Sequence, residues 1–277
     1  MLTRTLKSAA LAGLSLLTLS AQADILPVSN IAFNVFDNPS GLTQPKDFFT
    51  LVKPTGWSIG AAAQKDNLIY VGQQGSEGFN DQSHGNIYDV YTNPGFSVTV
   101  PPGTNFYQAD GNPQFESTIF QTISGLTAGT TYTLEFQQAA GQQVGFSGDT
   151  TEQWKVFLGV GGIGVNCAGN PCTVTGTANN IEVDSPLMNT PSQKNTDWNV
   201  VSMSFTPTAA QLTGGTAILT FLAWGDGGST SNLPPTVFLQ GVNTPPEVPE
   251  PASLALFALA LVGFGASMRR GKTKHAA

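Results

Sequence analysis

Thr131-Tyr132-Thr133-Leu134-Glu135-Phe136 alternates strictly, with Tyr132, Leu134 and Phe136 on one face and Thr131, Thr133 and Glu135 on the other. A period of two marks a half-buried strand. Before it stands the turn cluster Ser124-Gly125-Leu126-Thr127-Ala128-Gly129, and before that the run 115–123. Two such runs about a glycine-bearing turn predict a β-hairpin. Working outward, further strands are expected at 31–36, 67–71, 96–100, 153–158, 198–205, 216–224 and 236–242, separated by turns rich in Gly, Asn, Pro and Ser. The one helical signal, Pro207-Thr208-Ala209-Ala210-Gln211-Leu212, is long enough for a single turn. Many short strands and almost no helix predict an all-β fold, a jelly-roll-type β-sandwich over residues 24–243.

Charge narrows the function classes. Of 277 residues, 18 are acidic and 11 basic, but six of the bases lie near the two ends. All the acids fall between Asp24 and Glu250, against five lysines and no arginine, so this stretch carries a formal charge of −13. Such a body repels phosphate backbones, which excludes nucleic acid as a partner. Without arginine it also lacks the bidentate anion clamp.

The ends read as targeting segments. Arg4 and Lys7 precede the apolar run 9–19, and Ala21-Gln22-Ala23 is a small-x-small cleavage site, so residues 1–23 are expected to be a secretory signal. At the other end, residues 244–251 are proline-rich, 252–268 are 17 residues without charge, and 269–277 are basic. As a helix, 252–268 would span about 25 Å, adequate for a bilayer core. The basic tail would hold that end on the cytoplasmic side and leave the body outside.

Val248-Pro249-Glu250-Pro251, the apolar run and Arg269-Arg270 resemble the tripartite PEP-CTERM sorting signal of Gram-negative bacteria. The resemblance implies recognition and processing by a membrane enzyme, exosortase. It also implies export to the cell surface or extracellular matrix of an organism that makes exopolysaccharide, with transient anchoring by the C-terminal helix. Within the body, Ile119-Phe120-Gln121-Thr122-Ile123, residues 126–136, Pro54-Thr55-Gly56-Trp57 and residues 235–242 resemble framework motifs of galactose-binding-like jelly rolls. Where the last strand of such domains often carries Asp, this chain has Gln240. Fold analogy assigns no ligand.

Cys167 and Cys172 are expected to form a small disulfide loop in an exported chain. Gly159-Val160-Gly161-Gly162-Ile163-Gly164 matches a dinucleotide fingerprint by spacing, but residues 165–172 contain Cys, Gly and Pro and cannot start the required helix. It reads as a glycine-rich loop beside the disulfide. His84 sits in a polar, loop-like stretch, and no Gly-x-Ser-x-Gly elbow accompanies it. Glycosidase chemistry needs two converging carboxylates; Glu77, Glu116, Glu135, Asp149 and Glu152 are available, without a signal that any two converge.

For a glycan surface the aromatic candidates are Tyr70, Tyr88, Tyr91 and Tyr107, interleaved with Asn, Gln and Asp, together with Trp154. The alternative is that these rings fill the core. Trp57, Trp198 and Trp224 are expected in the core. Acidic loops at Asp37 and Asp226 leave calcium open as a ligand; no other cofactor is expected. The expected function is non-enzymatic: an exported surface or matrix protein that binds exopolysaccharide. The alternatives are an extracellular carbohydrate-active hydrolase and a structural or adhesive protein without a specific ligand.

Overall fold

The computed structural model describes residues 23–33, 49–50, 54–60, 69–73, 105–113, 116–143, 145–167, 171–226 and 235–243. Its strands are β1 (Asp24–Ile25), β2 (Phe49–Thr50), β3 (Ser58–Ile59), β4 (Ile69–Gln73), β5 (Asn105–Asp110), β6 (Thr118–Ser124), β7 (Tyr132–Gln142) and β8 (Thr150–Gly159). They continue with β9 (Gly164–Asn166), β10 (Thr173–Thr175), β11 (Asn180–Asp184), β12 (Met188–Thr190), β13 (Asn199–Phe205), β14 (Thr216–Asp226) and β15 (Pro235–Gln240). The helical signal at 207–212 becomes one 3-10 turn, Ala209–Gln211, closed by reciprocal bonds between Thr208 and Gln211. Among the described residues no helix is long and apolar enough to cross a membrane. Of the expected signal cleavage site, Ala21 lies outside the described residues and Ala23 is the first residue within them; the sorting motif and the apolar run 252–268 lie outside.

Two sheets form a jelly-roll-type β-sandwich. In the first, β7 pairs with β13 on one edge and with β1 and β15 on the other, and the sheet continues through β5 and β4 to β2. In the second, β11 and β12 share one edge of β8, and the order runs on through β14 and β6 to β3. All pairings are antiparallel except β1 with β7.

The period-two alternation of residues 131–136 is that of a strand with one buried face. Tyr132, Leu134 and Phe136 are buried between the sheets, facing Leu219, Phe221 and Ala223 of β14 and Trp154, Val156 and Leu158 of β8. The aromatic centre is edge-on: Phe221 meets Phe136 at 5.3 Å and Trp154 at 6.0 Å between ring centroids. Such T-shaped pairs are favoured by the ring quadrupole. Trp57 is also core, its indole N–H donating to the Ser29 carbonyl at 3.1 Å.

The expected hairpin between 115–123 and 131–136 does not form. β6 and β7 belong to opposite sheets, and the connection between them crosses the sandwich. Gly125 and Gly129 adopt φ of 84° and 81°, which only glycine enters freely, so the turn chemistry is as read. Its backbone bonds, however, run to another connection: Leu126 N–H to the Gly215 carbonyl and Gly129 N–H to the Pro207 carbonyl. The Tyr132 hydroxyl accepts from Thr127 N–H at 2.8 Å and holds the corner.

The strand expected at 31–36 is, over 31–33, a turn with Asn30 and Phe33 at positive φ and the Phe33 ring in the core. The strand expected at 96–100 lies outside the described residues. Cys167 and Cys172 are bridged, as expected. They close the β9–β10 hairpin, whose Val165 and Val174 pack with Ile163 over Phe157 and Leu222 on the outer face of the second sheet. The glycine run leads from β8 into strand β9, so no helix N-terminus faces it.

Candidate functional site

β8 and β14 lie side by side in the second sheet, and their register decides what its outer face presents. Because Trp154 and Ala223 point into the core, their neighbours point outward. Gln153 is opposite Trp224, Lys155 opposite Leu222, and Thr151 opposite Asp226. Next to β8, β11 sets Asp184 opposite Lys155.

Of these, Thr151, Lys155, Asp184, Trp224 and Asp226 reach the surface, while Gln153 and Leu222 are buried. Trp224 is partly exposed, and the Lys155 ammonium lies 5.7 Å from its ring centroid, a cation–π contact. Lys155 Nζ also reaches Glu182 Oε1 at 3.2 Å and Asp184 Oδ2 at 3.5 Å, while Gln153 Nε2 donates to Asp184 Oδ2 at 3.3 Å. Partial burial pulls the Lys155 pKa down, but Asp184 and Glu182 outweigh it and hold it above its ordinary value. Lysine therefore stays charged, and the ring it braces is held in place.

Beyond Asp226 the surface dips into an open groove of about 380 Å³ lined by Asp149, Thr150, Thr151, Asn189, Thr190, Pro191 and Asp226. Its rim is organised by backbone: Ser192 N–H donates to Asp149 Oδ1 and Gly148 N–H donates to Ser192 Oγ, each at 2.8 Å. Gly225 occupies a place where a Cβ would run into the Pro235 ring, so β14 and the start of β15 meet closely behind the groove.

Under the groove Glu152 is fully buried. Its carboxyl oxygens accept from Thr150 Oγ1 and, at 2.9 Å, from Thr190 Oγ1. Burial raises its pKa to about 7 against the pull of those two hydrogen bonds. Glu116, before β6, is also raised to about 7 by burial, opposed by Lys155. Glu135 is only partly buried on β7. Two of the five carboxylates named from the sequence, Asp149 and Glu152, thus lie at or under one groove, with Asp226 beside them.

The aromatic candidates separate differently. Tyr107 is fully buried against Phe33, 4.5 Å between centroids, with its hydroxyl enclosed and its pKa raised well above the ordinary value by that burial. Trp154 is fully buried and donates to the Phe238 carbonyl at 3.0 Å. Neither can meet a ligand; both are core residues. Tyr70 lies on β4, opposite Gln108 in register. Tyr88 and Tyr91 lie outside the described residues, as do Asp37 and His84.

Trp224, expected in the core, is on the outer face instead. Trp198 packs outside the sandwich as well, 6.1 Å from both Phe106 and Phe238 on the outer face of the first sheet. Among the described residues no group of three or more His, Cys, Asp and Glu could hold a metal. The oxygen-bearing side chains near Asp226 are those of the groove.

Residues 247–270 match the PEP-CTERM protein-sorting motif. The chain carries that sorting signal, which implies export, membrane anchoring and exosortase processing. No curated protein matches the chain in sequence. Solved structures similar to it include a Stig cyclase from Fischerella sp. TAU, at 16% identity over 80% of this chain and 96% of that one, TM-score 0.42. A second is the enzymatically active domain of tailspike protein 4 from bacteriophage CBA120, at 10% identity over 68% of this chain, TM-score 0.34. This chain spans only 19% of that tailspike chain. A third is a family 61 carbohydrate-binding module in complex with β-1,4-galactotriose, at 12% identity over 68% of this chain and 86% of that one, TM-score 0.30.

Proposed function

We propose that this is an exported, non-enzymatic surface or matrix protein. Its β-sandwich binds the exopolysaccharide of the producing cell along the outer face of the second sheet. The observation that carries the reading is Trp224, a partly exposed ring braced by Lys155, next to an open groove edged by Asp149, Asn189 and Asp226. Sugar rings present apolar C–H faces that stack on an indole, while their hydroxyls take amide and carboxylate partners. Asp184 and the exposed groove residues Asp149, Asn189 and Asp226 supply those partners beside the ring.

The hydrolase reading is less well supported by this geometry. A glycosidase needs a general acid with raised pKa at the scissile oxygen. The carboxyl raised to about 7 beside the groove, Glu152, is fully buried and has both oxygens engaged by threonines.

The test is binding of the exported protein to the producer's own exopolysaccharide, with calcium and with chelator. Saturable binding that Trp224→Ala weakens at least about tenfold supports the proposal. Loss with chelator would add a calcium site to the proposal. No binding in either condition would overturn the proposal in favour of a structural or adhesive role.

A further inference from the structure

We propose that β13 (Asn199–Phe205) is a self-pairing edge through which two copies of this chain join their first sheets into one. Among the described residues, β13 hydrogen-bonds to β7 on one side only, over seven residue pairs from Asn199↔Gln138 to Phe205↔Tyr132. Along its other edge, alternate residues direct their N–H and C=O groups away from the sheet. Asn199, Val200, Ser202 and Ser204 are exposed, Val200 at 67%, while Val201, Met203 and Phe205 anchor the strand in the core.

An open edge is a template for another strand, and proteins blunt it by shortness, charge or proline. The other edge strands described here follow that rule. β2 and β3 have two residues each, β12 has three, and β11 carries Glu182 and Asp184. β13 breaks it: seven residues, Asn-Val-Val-Ser-Met-Ser-Phe, with no charge and no proline.

Charge argues for a second copy as the occupant. The stretch holding the sandwich has a formal charge of −13, so copies repel across most of their surfaces. From Trp198 to Thr206 no residue is charged. Antiparallel pairing of β13 with itself about a two-fold axis near Ser202 brings no like charges face to face, and Asp197 falls beyond the far end of the partner strand. An isologous contact of this kind closes on itself as a dimer.

The test is sedimentation of the exported protein over a wide range of concentration, with amide exchange read at residues 199–205. A concentration-dependent dimer is expected, with amides in β13 slowed only where the dimer is populated. Ser202→Lys sets two lysines against each other across the axis at an exposed position. It should raise the dimer dissociation constant at least about tenfold, while Ser202→Thr leaves it unchanged. A wild-type protein that stays monomeric with concentration-independent exchange overturns the proposal. So does a Ser202→Lys variant that folds with the wild-type dissociation constant. Protection of β13 by added polysaccharide or another matrix protein, without dimerisation, would also overturn it and assign the edge to that other occupant.

Discussion

The indole N–H of Trp154, on strand β8 of the second sheet, donates at 3.0 Å to the main-chain carbonyl of Phe238 on β15 of the first. This bond spans the sandwich where Phe221 and Phe136 also stack edge to face. It satisfies the one polar atom of a fully buried ring and ties the two sheets together.

Trp154→Phe should therefore destabilise the protein by about 1–3 kcal/mol, since it leaves the carbonyl without this donor and opens space in the core. Denaturant unfolding measures it. Polysaccharide affinity should be unchanged; a large loss of affinity at unchanged stability would place Trp154 in the binding surface after all.

Trp224→Ala should do the reverse. The ring lies outside the core and is braced by Lys155, so its removal should weaken polysaccharide binding at least about tenfold. The melting temperature should stay nearly constant. Tyr107→Phe is the matched control: its hydroxyl is enclosed without a hydrogen-bond partner among the described residues, so binding should not change. Loss of binding in the tyrosine variant and not in the tryptophan one would reverse the assignment.

Glu152 predicts a pH dependence. Its pKa rises from 4.5 to about 7 on folding, so the native state holds the proton more tightly than the unfolded chain. Stability from this group is greatest below about pH 4.5, falls as pH rises towards 7, and levels off above. Asp110 and Glu116, both raised to about 7 by burial, act in the same direction. Thermal unfolding should show a higher melting temperature at pH 5 than at pH 8. Glu152→Gln should flatten that difference and raise stability at pH 8; an unchanged slope would exclude Glu152 as its source.

Removing the Cys167–Cys172 bridge should cost about 2 kcal/mol by the loop-entropy relation for so short a loop. It should also loosen the hairpin over Phe157 and Leu222. Faster amide exchange in 164–175, with β7 unaffected, is the expected signature. Uniform loosening of both sheets would make the bridge a global element.

The sorting motif predicts a mass. Protein recovered from outside the cell should lack the apolar run and the basic tail that follow Pro251. An intact mass that includes Arg269 and Arg270 would show that processing does not occur.

Several of these features are decided by the amino-acid sequence alone, because they are local. The sorting signal is a linear order of motif, apolar run and basic tail, and residues 247–270 carry it without reference to the fold. The Cys167–Cys172 pairing is legible because the chain has two cysteines, five residues apart. Alternation in 131–136 marks a strand whose two faces differ, so Tyr132, Leu134 and Phe136 are core on sight.

Tertiary structure decided what depends on distant partners. The turn after β6 looked like a hairpin, yet its amides at Leu126 and Gly129 bond to Gly215 and Pro207, 89 and 78 residues further on. Those acceptors send the chain across the sandwich. β14 shows the same limit for the site: Ala217, Leu219, Phe221 and Ala223 alternate with Ile218, Thr220, Leu222 and Trp224, and both sets are largely apolar. Period two separates the faces but cannot say which is inside when the outer face is partly covered by the β9–β10 hairpin. Only the packing of β8 and β14 against the first sheet turned Trp154 inward, left Trp224 facing out, and brought Asp149 and Asp226 to one groove.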